Sequence, residues 1–253
     1  HIPVGYFKTM HNPSVDWCYK TEPDETMNGR SIRYPRGKTL GGSSAINGLL
    51  YIRGQSRDYD VWRQLGNTGW GWDDVLPYFI KAENQERGKN EFHGTGGPLS
   101  VSDQRIQLPL LNEFQNAAEE FGIPKTKDFN TGDNNGCGYF QVTEKDGFRC
   151  STAVGYLNPI KKRGNLKIIT NAHVKKINFQ NKIAKEVEYW QDNEVKKLVV
   201  NREIILSSGS IGSPQILQTS GIGNANKLNN LGIEVVHELK GVGKNLQDHL
   251  MFR

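Results

Sequence analysis

The chain has 253 residues, 36% of them hydrophobic, which is enough for one large domain or two smaller ones around a buried core. Its 32 basic residues exceed its 27 acidic residues by five, but the excess is spread along the chain, which argues against a nucleic-acid-binding face. No apolar run approaches the roughly 18 residues that cross a bilayer.

Three cysteines, Cys18, Cys137 and Cys150, are too few and too scattered for a disulfide framework or a metal knuckle. They indicate a reducing compartment. We therefore expect a cytoplasmic protein, either free or peripheral to the membrane, and the sequence does not specify an oligomeric state.

The first half of the chain predicts two helices between irregular segments. Residues 1–60 are rich in Gly, Pro, Asn and Ser and predict extended loops. A helix is expected from Asp73, which can cap it, with Pro77 in its first turn. Apolar residues then recur with helical spacing from Leu110 to Phe121, and Gly122 ends this second helix.

The second half predicts a short helix and then strands. Ser151 can cap a helix that ends near Gly164. Short apolar segments separated by turn residues then predict an antiparallel meander. Its expected strands cover residues 166–170, 173–180, 184–191 and 194–200.

A strand, a glycine-rich turn and a helix are expected next. The strand covers residues 203–207, the turn residues 208–212, and the helix opens at Pro214. This arrangement directs free backbone N–H groups at an anion. The last residues, 249–252, resemble the start of a strand.

Several common motifs fail on their spacing. The Gly37-Lys-Thr sequence lacks the upstream glycine of a P-loop, because Ile32 stands there. Three glycine pairs begin a GxGxxG fingerprint, but the sixth positions are Asp74, Asn226 and Leu246. HExxH and GxSxG motifs do not occur. We therefore predict no metal site and no serine-hydrolase site within these 253 residues.

One block remains, residues 37–54, with the sequence GKTLGGSSAINGLLYIRG. Adjacent glycines permit close approach of a ligand, and the serine hydroxyls and the Asn47 amide can bond polar atoms. The apolar residues that follow can pack on a flat ring. From the residues alone, an ordinary Gly-Ser loop is the alternative interpretation.

This block, extended to Asp60, resembles the first signature of the glucose-methanol-choline (GMC) oxidoreductase family, and residues 209–223 resemble the second. The resemblance is of the choline dehydrogenase-like type and covers essentially the whole chain. Further similar stretches are residues 21–23, 28–30, 71–79, 92–98, 149–157 and 241–249.

The resemblance implies a mixed α/β (α+β) fold, in which a Rossmann-like FAD-binding domain is joined to an antiparallel-sheet substrate domain. Residues 1–253 would form part of the N-terminal FAD-binding domain, with the antiparallel meander at residues 165–200 within it. The family's N-terminal βαβ fingerprint and its C-terminal catalytic domain are missing from the sequence. We therefore expect a central fragment, incomplete at both ends.

The resemblance also implies contacts to FAD. Ile46 stands where some members carry the histidine that attaches FAD covalently, so noncovalent binding is expected. His249 is expected to be structural, because the family's proton-abstracting histidine belongs to a segment beyond Arg253. The resemblance therefore assigns no catalytic residue within these 253 residues. The implied FAD contacts are Gly42, Ser43, Asn47, Gly48, Leu50 and Val174, the last through its backbone at the adenine end.

The implied reaction is oxidation of a small-molecule alcohol to an aldehyde or ketone, with hydride transfer to flavin N5. The alcohol and the electron acceptor, whether oxygen, a quinone or another molecule, are not specified. These 253 residues alone are expected to be inactive. The alternative is a non-catalytic flavin-fold binding module, or a degenerate fragment.

Overall fold

The computed structural model of the protein describes residues 2–249, so most of the strand suggested at residues 249–252 lies outside the described part. The chain divides into two compact units, residues 1–166 and 167–253. Both units contain helices and strands, which confirms the mixed α/β class.

The first unit alternates short strands with helices. Its helices, among residues 2–166, are α1 (Tyr6–Thr9), α2 (Ser56–Gln64), α3 (Trp72–Ala82) and α4 (Pro109–Glu120), with 3₁₀ turns at Pro3–Gly5, Glu25–Met27 and Gly42–Ala45 and a π-helical turn at Ala153–Leu157. Its strands are β1 (Tyr19–Lys20), β2 (Arg33–Tyr34), β3 (Leu50–Tyr51), β4 (Glu83–Gln85), β5 (Leu99–Val101), β6 (Gln141–Val142), β7 (Glu144–Lys145) and β8 (Phe148–Arg149).

These strands pair two by two. β4 and β5 are parallel, whereas β1–β2, β3–β6 and β7–β8 are antiparallel. In β3–β6, Leu50 lies opposite Val142, so the end of the glycine-rich block is fixed against a segment about ninety residues later in the chain.

Aromatic packing joins α2 to α3. The buried Tyr59 ring of α2 lies with its centroid 5.7 Å from that of Trp72 and 5.7 Å from that of Phe79, both in α3. Rings at such separations stabilise a contact beyond the area they bury.

The predicted start of α3 was wrong by about half a turn. The helix begins at Trp72, because the Asp74 carboxylate accepts a hydrogen bond from the Gly71 backbone N–H at 3.0 Å and so caps the turn before Asp73. Pro77 is the sixth helical residue and lies in the second turn, where its missing N–H removes one backbone bond.

The helix predicted from Leu110 is confirmed as α4, with Gly122 directly after its C-terminal cap. The short helix predicted after Ser151 is a π-helical turn that begins two residues later, at Ala153. The Ser151 hydroxyl still accepts a hydrogen bond from the Val154 N–H at 3.4 Å.

The second unit is built on a three-stranded antiparallel sheet. Its elements, among residues 167–249, are β9 (His173–Gln180), β10 (Ile183–Gln191), β11 (Glu194–Val199), α5 (Gly209–Thr219), β12 (Ile222–Gly223), α6 (Ala225–Asn230) and β13 (His237–Glu238). The sheet order is β11-β10-β9, which confirms three strands of the predicted meander. Two-residue turns of Asn181-Lys182 and Asp192-Asn193 join them, and positive φ at all four residues is the geometry that matches strand twist.

Two predicted strands are not formed. Residues 166–170 and 203–207 pair with no other described segment, and a strand without a hydrogen-bonded neighbour is not stable. Ile205, in the second segment, is 79% exposed.

Helix α5 begins at Gly209, five residues before the predicted start at Pro214. The Ser213 hydroxyl accepts a hydrogen bond from the Ser208 N–H at 3.0 Å and so fixes the first turn. At the other end of α5, the Ser220 hydroxyl accepts a hydrogen bond from the Ile177 N–H at 2.8 Å, which ties the helix to β9.

Candidate functional site

The glycine-rich block begins at a backbone crossing that only glycine permits. A Cβ atom on Gly37 would lie 2.2 Å from the Gly42 carbonyl oxygen. Gly41 has φ of 90° and a Cβ there would lie 3.2 Å from the Ala153 Cβ. These two glycines therefore serve internal packing, because the chain folds tightly on itself at both positions.

The buried Asp16 carboxylate fixes the backbone just before this crossing. Asp16 accepts backbone hydrogen bonds from His11, Cys18 and Arg36 at 2.7, 3.0 and 2.9 Å. Burial alone would raise the pKa of Asp16, but these three N–H donors lower it below its usual value. Residues 36 and 37 are thereby fixed to the segment around residue 16.

Gly42 and Gly48 face open space. A Cβ atom at either position would meet nothing within 4 Å. The neighbouring side chains of Ser43, Asn47 and Leu50 are exposed, Leu50 by 52%. The structure thus brings five of the six predicted contact residues onto one accessible loop, and the sixth, Val174, lies in β9 of the second unit.

Asn47 shapes the turn at the centre of this loop. Its side-chain oxygen accepts a hydrogen bond from the Leu49 N–H at 3.1 Å. Leu49 is 4% exposed and has φ of 66°, a left-handed conformation that costs a bulky residue about 1–3 kcal/mol and persists only where surrounding contacts impose it. The Leu49 carbonyl in turn accepts the Thr143 N–H at 2.9 Å.

The buried Arg149 side chain binds the same turn from inside the unit. One terminal nitrogen donates to the Asn47 side-chain oxygen at 2.6 Å and to the Ser44 carbonyl at 3.1 Å, and the other donates to the Asn47 carbonyl at 2.7 Å. Arg149 is 5% exposed, and its burial lowers the pKa of its guanidinium. The Asn47 amide nitrogen has no hydrogen-bond partner among residues 2–249 and is free to donate outward.

Thr152 supports the turn that precedes Asn47. Its backbone N–H donates to the Ser44 hydroxyl at 3.0 Å, and that hydroxyl donates to the Gly41 carbonyl at 2.5 Å. Arg149 and Thr152 fall in a stretch that the sequence marked as family-like but to which it gave no role. Their contact with the loop spans about one hundred residues, so spacing could not indicate it.

A cluster of charged side chains fixes the far end of the block, formed by the buried Arg53, Glu83 and His93 and the half-buried Asp128. Arg53 donates to Glu83 at 2.8 Å, and the two ring nitrogens of His93 lie 2.9 Å from Glu83 and 2.8 Å from Asp128. Burial alone would lower the pKa of His93, but hydrogen bonds to Asp128 and Glu83 raise it to about 9. At neutral pH the cluster therefore holds two positive and two negative charges.

The accessible loop fits an amphipathic ring ligand. It offers an outward amide, a serine hydroxyl and glycine backbone beside an exposed leucine, which suits a ligand such as FAD with polar edges and a flat apolar face. No group of acidic, histidine or cysteine side chains within residues 2–249 is arranged to hold a metal ion. None of the helices in that range is long and apolar enough to span a bilayer.

Residues 14–251 match the GMC oxidoreductase family. The chain is 43% identical to an alcohol dehydrogenase [acceptor] from Pseudomonas putida over 99% of its length, which covers 46% of that protein. It is 42% identical to the mitochondrial choline dehydrogenase of Mus musculus, again over 99% of its length, and covers 42% of that protein. The chain thus spans less than half the length of these curated relatives.

A solved structure shows the same fold. An FAD-dependent oxidoreductase from Chaetomium thermophilum superimposes with a TM-score of 0.87 and 33% identity, over 92% of this chain and 43% of that one. The chain therefore has a fold already seen in an FAD-dependent oxidoreductase.

Proposed function

The chain belongs to the GMC oxidoreductase family, and from that premise we propose that the full-length protein oxidises a small-molecule alcohol with FAD as its cofactor. The observation that carries this proposal is the accessible loop of residues 42–50, where two glycines face open space beside an outward Asn47 amide and an exposed Leu50. The names of the two curated relatives, an alcohol dehydrogenase and a choline dehydrogenase, support the substrate class.

Each residue of the loop has a role in this proposal. Gly42 and Gly48 let the backbone approach the cofactor, and Ser43 and Asn47 offer polar atoms to its edges. Leu50 packs on its apolar face. Val174 offers its backbone to the adenine end from β9, where it pairs with Tyr189.

When bound, FAD supplies the redox chemistry by accepting a hydride at N5. The residues of this chain hold and orient the cofactor. Ile46 is 4% exposed and its side chain has no nucleophilic atom, which supports noncovalent binding. A cytoplasmic location is also part of the proposal, supported by three cysteine thiols that form no disulfide.

Anaerobic titration of the full-length protein with a panel of alcohols that includes choline tests this function. We expect one alcohol to bleach the flavin absorption in proportion to the aldehyde or ketone formed. A protein that binds FAD but is bleached by no alcohol, while dithionite bleaches it, would contradict alcohol oxidation and favour a non-catalytic flavin-binding module. The 253 residues alone are expected to be inactive in the same assay.

A further inference from the structure

Arg149 is a buried cation without an ionic partner. All three of its hydrogen bonds go to neutral oxygens, and none of its contacts within residues 2–249 is to a carboxylate. Glu144 lies directly opposite it in the β7–β8 hairpin but forms no ion pair with it. An unpaired buried charge is costly to a fold, so its retention here calls for a role other than stability.

The acceptors of Arg149 identify that role. Two of its three hydrogen bonds end on Asn47, and the third ends on Ser44, three residues earlier. The Asn47 oxygen that Arg149 holds is also the one that binds the Leu49 N–H and imposes its left-handed conformation. Because that oxygen is engaged by Arg149 and Leu49 and the Asn47 residue is exposed, its amide nitrogen remains available to a ligand.

We propose that Arg149 is a positioning residue for the cofactor, which acts through Asn47 and holds the turn of residues 47–49 in its binding conformation. This inference rests on the proposed function, since it takes the loop to be the flavin site. Arg149 does not itself have to touch the cofactor.

Arginine is the side chain that this role requires. Its planar guanidinium presents several N–H groups in a fixed geometry and can hold the side-chain and main-chain oxygens of Asn47 together. Lysine carries the same charge on a single nitrogen and cannot reproduce that arrangement. The pair of variants Arg149→Lys and Arg149→Met therefore separates geometry from charge.

The experiment measures FAD affinity of the full-length protein. FAD is removed and titrated back while flavin fluorescence is followed, and thermal unfolding of the apoprotein is recorded in parallel. Lys145→Met is the matched control, because Lys145 carries the same charge in the same hairpin but is exposed and makes no ion pair.

We expect Arg149→Met to weaken FAD binding about tenfold or more, and Arg149→Lys to remain several-fold weaker than the parent. Lys145→Met should bind FAD as the parent does. Full recovery in Arg149→Lys would overturn the positioning role, because charge alone would then suffice. The positioning role would also be overturned if the parent binds FAD and the dissociation constant of Arg149→Met lies within about twofold of the parent's.

Coupling to Asn47 separates positioning from a general loss of structure. If Arg149 acts through Asn47, the double variant with Asn47→Ala should bind FAD no more weakly than Asn47→Ala alone. The inference would be contradicted if the factors by which the two single variants weaken FAD binding multiply in the double variant. This holds even if Arg149→Met lowers the melting temperature. A parent that binds no FAD would instead overturn the proposed function, and with it this inference.

Discussion

The glycine-rich block is fixed by a buried arginine at two points, at its far end by Arg53 and at its central turn by Arg149, and the two arginines have different partners. Arg53, 4% exposed, pairs with Glu83 inside a cluster whose four charges balance. Arg149, 5% exposed, binds only carbonyl and amide oxygens. We therefore propose two purposes for similar burial: the far end is fixed for stability, and the central turn is arranged to present polar groups to a ligand.

Removing Arg53 from the far end of the block should have the largest effect on stability. Arg53→Met leaves Glu83 buried with one positive partner fewer, so the free energy of unfolding should fall by about 3–5 kcal/mol in chemical denaturation. Arg105→Met is the control, because Arg105 pairs with Glu86 at the surface and should cost little. Equal losses in the two variants would show that the cluster does not stabilise the first unit.

Raising the pH should weaken the same end. His93 has a pKa of about 9 in the folded protein against an ordinary 6.5, so its contribution to stability is complete below about pH 6.5 and is lost as the pH rises toward 9. The expected loss is a few kcal/mol. Melting temperatures from pH 6.5 to 9 should therefore fall more steeply in the parent than in His93→Gln. Parallel curves would show that a positive charge on His93 does not stabilise the fold.

Acid should act at the approach to the block, with a smaller effect. The lowered pKa of Asp16 means that its contribution is present above its ordinary value of 3.8 and is lost as the pH falls below it. Asp16→Asn should cost about 1–3 kcal/mol at neutral pH and flatten the acid side of the stability profile. Asp146→Asn, at an exposed turn, should leave the profile unchanged, and an equal change in both variants would contradict the assignment.

At the central turn, a change should affect ligand binding and leave the free energy of unfolding almost unchanged. Gly48→Ala adds a methyl group into open space without a positive φ, so the free energy of unfolding should change by less than about 0.5 kcal/mol. FAD affinity of the full-length protein should fall about tenfold, because the methyl group occupies the side that the cofactor approaches. Gly164→Ala, equally unobstructed but outside the loop, should bind FAD normally. Undiminished affinity in Gly48→Ala would remove Gly48 from the site.

The sequence predicted those elements whose signal is local. The periodicity from Leu110 to Phe121 is sufficient for α4, and the turn residues Asn181 and Asp192 are sufficient for the meander. Strands expected at residues 166–170 and 203–207 depended on neighbours that local pattern does not report. Pro77 and Pro214 were expected in first turns, but each helix starts earlier, where the Gly71 and Ser208 N–H groups donate to side chains of the first turns.

The site divides in the same way. The six candidate contacts came from the resemblance to a family, since glycine and serine in a loop do not name a ligand. The supporting contacts join residues far apart in the chain: Arg53 reaches Glu83 thirty positions away, and His93 reaches Asp128 thirty-five positions away. Such pairs follow from tertiary packing, which spacing alone does not reveal.

The most direct test of the central claim is the visible absorption spectrum of the full-length protein before and after denaturation and filtration. We predict a flavin spectrum in the native protein, and release of all the flavin into the filtrate as FAD. No flavin after purification and reconstitution would contradict the assignment of residues 42–50 as a cofactor site. Flavin retained with the denatured polypeptide would contradict the noncovalent mode of binding but not the cofactor site itself.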